Sequence, residues 1–168
     1  MEKLHLHQDK WRDIVFGSVV LFVVIIDQLT KALIRANLAL GEVSFDAGIF
    51  RIIHIQNTGA AFGIFKDHSL TLIITSIIGI VVILILVFLL RSRWHFLESM
   101  WVRVGMALVM GGTIGNNLID RIRQGYVTDF IDFKIWPAWN VADASITIGV
   151  IIIAYRLIFY SGTLKSKV

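Results

Sequence analysis

Long uncharged apolar runs alternate with short polar stretches along this chain, and four of the runs are long enough to be drawn as membrane spans. They cover approximately residues 14–36, 69–90, 104–121 and 140–160. The second, Ser69 to Leu90, has 22 residues without a charge. At about 1.5 Å per helical residue it crosses the roughly 30 Å of a bilayer's hydrocarbon. The first runs from Ile14 to Ala36 and carries Asp27, Lys31 and Arg35 in its last third. It is longer than a secretory leader's apolar core and leads into Asp-Gln-Leu-Thr-Lys rather than a small-residue cleavage site, so it reads as a span. Between the first two runs, Phe50 to Gln56 is rich in β-branched residues and broken by Asn57-Thr58-Gly59, which predicts a strand ending in a turn. A small sheet lying on the bilayer is expected there, with an irregular loop as the blander reading. The pattern predicts an all-α polytopic membrane protein, one domain over 1–168, with four transmembrane helices and a small extracytoplasmic β-platform.

Composition agrees with lipid as the solvent. Of 168 residues, 57% are apolar and only 17% charged, and the mean hydropathy is +0.77; a soluble domain of this size is nearer 45–50% and about 25%. The absence of cysteine excludes disulfides, thiol catalysis and thiolate metal sites. His5, His7, His54, His68 and His95 show no metal-ligand spacing, and neither metal nor cofactor is expected. The net charge of +4 does not point to nucleic acid, because the basic residues flank apolar runs. Lys3, Lys10 and Arg12, then Arg91, Arg93 and Arg103, then Lys165 and Lys167 all fall on one side of a four-span chain. The other side has longer segments in which basic residues mix with Glu42, Asp46, Asp67, Asp129 and Asp132. Short basic segments stay inside, so both termini are expected in the cytoplasm.

That orientation puts two aspartates at the outer brink of the membrane. A carboxylate against hydrocarbon costs on the order of 2.5–3.5 kcal/mol, so each needs a reason to be there. Asn140 is a favoured helix cap after Pro137, and Asp143 then falls at the third helical position, where unpaired amides favour its ionised form. Helix capping alone would explain it; so would a base that activates water. Asp129 lies among Val127, Phe130, Ile131 and Phe133, where desolvation favours the protonated form. It is either an idle loop acid or the acid of a pair sharing one proton over a water. Asp27 and Lys31, four apart, form an ion pair on one helix face. Asn117 and Arg121 share another face, and the arginine either clamps polar backbone or snorkels to the interface. A small proton-coupled transporter could use the same carboxylates as relays, but it would want them near the midplane. A membrane scaffold would leave the clustered Asn, Asp and Arg unexplained.

Five runs, in order, resemble the lipoprotein signal peptidase (signal peptidase II) family. They are Asp27-Gln-Leu-Thr-Lys31, Asn57-Thr-Gly-Ala-Ala-Phe-Gly63, Gly111-Gly112 through Asp120-Arg121, Gly125 to Phe133, and Asn140-Val-Ala-Asp143. The resemblance implies four helices, cytoplasmic termini, and residence in the bacterial cytoplasmic membrane with the site near its outer face. It also implies a membrane aspartyl endopeptidase that cuts signal peptides from prolipoproteins just before a diacylglyceryl-modified cysteine. Asp129 and Asp143 match the catalytic dyad. Asp27, Lys31, Asn57, Gly59, Asn117, Arg121 and Asn140 match positions that bind substrate or support the site. No cofactor is implied; diacylglyceryl prolipoproteins, membrane lipid and globomycin-type cyclic peptide inhibitors are the partners expected. The chain departs from the family pattern at Gly115-Asn116-Asn117-Leu118-Ile119-Asp120-Arg121, one residue longer than usual. An extra residue turns an α-helix by about 100°, so only one of Asn116 and Asn117 is expected to face the site. Spacing to Arg121 favours Asn117.

Overall fold

A computed structural model of the chain describes residues 2–59, 65–66 and 68–165. Residues 60–63 of the run that begins at Asn57, Asp67 and Lys167 lie outside the described residues, as do the side chains of Lys3, His5, His7, His95 and Lys165. Helix α1 spans Glu2–Asn37 and is followed by strands β1 (Val43–Asp46) and β2 (Arg51–Asn57). Helix α2, Ser69–Leu84, continues as a π-turn over Ile85–Leu89. Helix α3, Met100–Thr113, runs through a π-segment, Ile114–Asp120, into the short α4, Arg121–Gln124. Strand β3 (Val127–Asp132) and helix α5 (Val141–Lys165) complete the chain. Among the described residues, three helical stretches have the length and composition to cross a membrane: Lys10–Asn37, Ser69–Leu89 and Val141–Phe159. The expected span 104–121 is built differently, as one continuous helical run whose second part is the wider π-form.

The helices run up and down, with the sheet at one end. Strands pair antiparallel in the order β1-β2-β3. The expected strand is β2; its pairing with β3 sets Ile55 opposite Asp129 and Asn57 opposite Val127. The helices close on small residues, the interface that suits lipid, where burying apolar surface gives no driving force. A Cβ on Gly112 would stand 2.5 Å from the Ala142 carbonyl oxygen, and one on Gly149 2.5 Å from that of Gly105. So α3 meets α5 almost backbone to backbone. At the end away from the sheet, Phe16, Val87, Leu97, Val102, Met106 and Ala107 form the apolar core. There Arg103, counted on sequence as a flanking charge, is buried and ion-paired to Asp13 at 2.6 Å. All five tryptophans sit near an end of the bundle: Trp11, Trp94 and Trp101 at that one, Trp136 and Trp139 beside the sheet. Tryptophan at both interfaces is the pattern of a spanning protein.

Candidate active site

Asp143 owes its place to the start of α5. Four amides at a helix start lack helical partners. Three are met by side chains: Asp143 N donates to Asn140 Oδ1 at 3.0 Å, Ala142 N donates to Asp27 Oδ1 of α1 at 3.0 Å, and the third is the amide of Asn140 itself. Asn140 N donates back to Asp143 Oδ2 at 3.2 Å, a reciprocal capping box with aspartate at the third position. Asp129 comes from β3. A bridge between Ile131 and Trp139 ties β3 to the approach to α5, with the Ile131 and Phe130 amides both donating to the Trp139 carbonyl at 2.8 Å. That bridge fixes where the strand's aspartate stands relative to the helix start. Asp129 and Asp143 line the same two adjoining clefts. One, of about 330 Å³, is walled by Trp136, Pro137 and Ile146. The other, of about 120 Å³, extends toward Gly59, Asn117 and Arg121.

Three asparagine amides hold the two carboxylates, and each amide is oriented from its oxygen end. Asn140 Nδ2 donates to Asp129 Oδ1 at 2.7 Å while its Oδ1 accepts the Asp143 amide. Asn57 Nδ2 donates to Asp129 Oδ2 at 3.0 Å while its Oδ1 accepts the Gly59 amide at 2.9 Å. Asn116 Nδ2 donates to Asp143 Oδ1 at 2.8 Å while its Oδ1 accepts from Lys31 Nζ at 2.5 Å. Asn140 therefore links both acids in one side chain. Asp129 is 3% exposed. Its burial, and next the negative charge of Asp143, push its carboxyl up to about 7 against the pull of the two amides.

Beneath the cleft, Lys31 pairs with Asp27 as the spacing predicts, at 2.8 Å, and also with Asp120 at 2.8 Å; all three are fully buried. Gln28 Nε2 donates to Asp120 Oδ1 at 2.9 Å, closing the cluster between α1 and the π-segment. Asp27 and Lys31 thus make their hydrogen-bonded links to the site through the Ala142 amide and Asn116. Arg121 takes the clamping role: Nε donates to Asn117 Oδ1 at 3.0 Å, and the two Nη donate to the carbonyls of Thr58 and Gly59 at 3.3 and 2.5 Å. It holds the turn that orients Asn57. The expectation that only one of the paired asparagines could face the site is corrected. Both line the cleft, because successive residues of a π-segment are set closer in angle than in an α-helix, and Asn116 rather than Asn117 bonds Asp143. Gln28 is not singled out by the sequence, and Asp120 is marked there only as one of a polar group with Asn116, Asn117 and Arg121, without its partner Lys31. Asp120 follows an uncharged run at a span's end, and that position was the available signal. Among the described residues, no group of three His, Cys, Asp or Glu side chains is arranged to hold a metal.

The family model described as signal peptidase (SPase) II matches residues 19–159, which is most of the chain. The chain belongs to the signal peptidase II family. As a member it is a bacterial membrane peptidase, and the transporter reading finds no support. A lipoprotein signal peptidase of Dehalococcoides mccartyi (strain CBDB1) is 42% identical over 140 residues, covering 83% of this chain and 86% of its own. One from Caldanaerobacter subterraneus subsp. tengcongensis is 42% identical over 147 residues, covering 86% and 96%. Among solved structures, a bacterial membrane enzyme determined by the in meso method superposes with a TM-score of 0.79 at 31% identity, over 89% of this peptidase and 90% of its own chain. Removal of signal peptides from prolipoproteins, a hydrolysis, is the activity of the family.

Proposed function

We propose that this peptidase removes signal peptides from prolipoproteins by cutting before a diacylglyceryl-modified cysteine, with Asp129 and Asp143 as its catalytic dyad. The observation that carries the reading is the convergence of a strand carboxyl and a helix-start carboxylate on one cleft, bridged by Asn140. Asp143, accepting N–H donors at both oxygens, is the base that takes a proton from water. The hydroxide oxygen forms its bond to the scissile carbonyl carbon. Asp129, protonated near neutrality, then gives its proton to the amide nitrogen as the C–N bond breaks. Asp129's loss of its proton brings the pair back to its starting charge with the proton now on Asp143; passage of that proton to Asp129 resets the site, and no covalent intermediate forms. The diacylglyceryl chains stay in lipid while the peptide lies on the sheet, so substrate and enzyme share a two-dimensional phase that supplies much of the positioning.

The dyad would lie at the outer face of the membrane with both termini in the cytoplasm; the cluster of Arg91, Arg93 and Arg103 at the end opposite the sheet supports this. Cyclic peptides of the globomycin type would compete for the same cleft. The test is processing of a diacylglyceryl prolipoprotein by purified enzyme, followed by gel, with a non-lipidated control. Asp129→Asn and Asp143→Asn are each expected to lower kcat by about 10²–10⁴. Normal cleavage by a properly inserted variant would remove that residue from the dyad.

A further inference from the structure

Lys31 has three N–H bonds and three acceptors: Asp27 Oδ2, Asp120 Oδ2 and Asn116 Oδ1. The two aspartates already supply more negative charge than one ammonium needs. The third bond, to a neutral amide, therefore has no charge-balancing purpose, and its effect is geometric. With the carbonyl of Asn116 fixed on Lys31, its NH2 group must face Asp143. The flipped amide would set N–H against an ammonium and C=O against a carboxylate, two repulsions inside a buried site. Asn116 is available for this because the stretch Gly115-Asn116-Asn117 is wound as a π-segment. One asparagine serves Arg121 and the other serves Asp143.

We propose that Asn116, anchored by Lys31, is a positioning residue for Asp143, holding its carboxylate ionised and aimed into the cleft. The inference rests on the reading of Asp143 as the base. The charged groups that act on Asp143 are Asp129 from β3, Lys31 and Asp27 from α1, and Arg121 from α4, with Asp120 of the π-segment behind Lys31; α2 carries no charge. Of these, Lys31 reaches Asp143 through the Asn116 amide, which mutation removes while both ion pairs of Lys31 stay in place.

The experiment measures kcat and KM against pH for cleavage of a diacylglyceryl prolipoprotein by full-length enzyme in nanodiscs. Asn116→Ala is expected to lower kcat roughly 10- to 100-fold with KM within about twofold, as a misplaced base does. The acidic limb of its kcat/KM profile moves to higher pH, because a donor to the carboxylate is lost. Lys31→Gln moves the limb the same way, and the double variant moves it no further than the larger single change. Asn116→Asp keeps the bond to Lys31 but cannot donate, so its limb also moves up. Should Lys31→Gln fail to fold, the two Asn116 variants still decide. An unmoved limb in Asn116→Ala, whether activity is retained or falls equally at every pH, overturns the proposal. Normal cleavage by Asp143→Asn under the same conditions would instead overturn the reading of the dyad.

Discussion

Asp129 and Asp143 differ less in chemistry than in what surrounds them. Both accept two N–H donors, yet Asp129 sits on a strand whose neighbours Val127 and Phe130 are buried, and its carboxyl is pushed up to about 7. If it must be protonated to release the leaving amide, its competent fraction is full at low pH and falls as pH rises through 7. kcat is therefore expected to decline on the alkaline side with an apparent value near 7, belonging to the pair rather than to one residue. A profile flat from pH 6 to 9 would contradict the acid role. At this scale the sequence was informative about residue types and poor about partners. The Asp27–Lys31 pair followed from four-residue spacing. Its extension to Asp120, 89 positions further along the chain, has no periodic signature, because only the packing of α1 on the π-segment creates it.

Among elements, β2 was legible because its β-branched run is interrupted by a turn. β3 was not: nearly all of its residues are buried, so the inward–outward alternation that marks a strand is missing. The π-segment was foreshadowed by an extra residue, but its consequence was misjudged because an α-helical turn was assumed. Glycines in this region are set by contact. A Cβ on Gly115 would lie 2.5 Å from Asp27 Oδ2, an oxygen already bound to Lys31. Gly115→Ala is expected to destabilise the enzyme by about 1–3 kcal/mol and to depress activity. Gly79→Ala on α2, with nothing within 4 Å of the added carbon, should leave both unchanged. Thermal unfolding in detergent compares them directly.

For the molecule as a whole, hydropathy gave the class, while the order and tightness of packing came only with coordinates. Orientation can be tested simply, since any introduced cysteine is the sole thiol. Ile135→Cys, at a position 95% exposed beside the sheet, should react with an impermeant maleimide from outside intact cells, and Arg93→Cys only after permeabilisation. The reverse result would invert the proposed topology. The helices are also held unequally. Polar ties at the cleft end weld α1, the π-segment and α5 into one piece, while among the described residues α2 contributes there one side-chain hydrogen bond, Ser69 Oγ to the Gly125 carbonyl, and buries Ser76 along Ser69–Leu84. Its opposite end is pinned, with Val87 in the core and its carbonyl accepting from Arg103. For the substrate proposed above, whose acyl tails would stay in the bilayer, the side of the cleft bordered by α2 is the one with the fewest polar ties to break among the described residues.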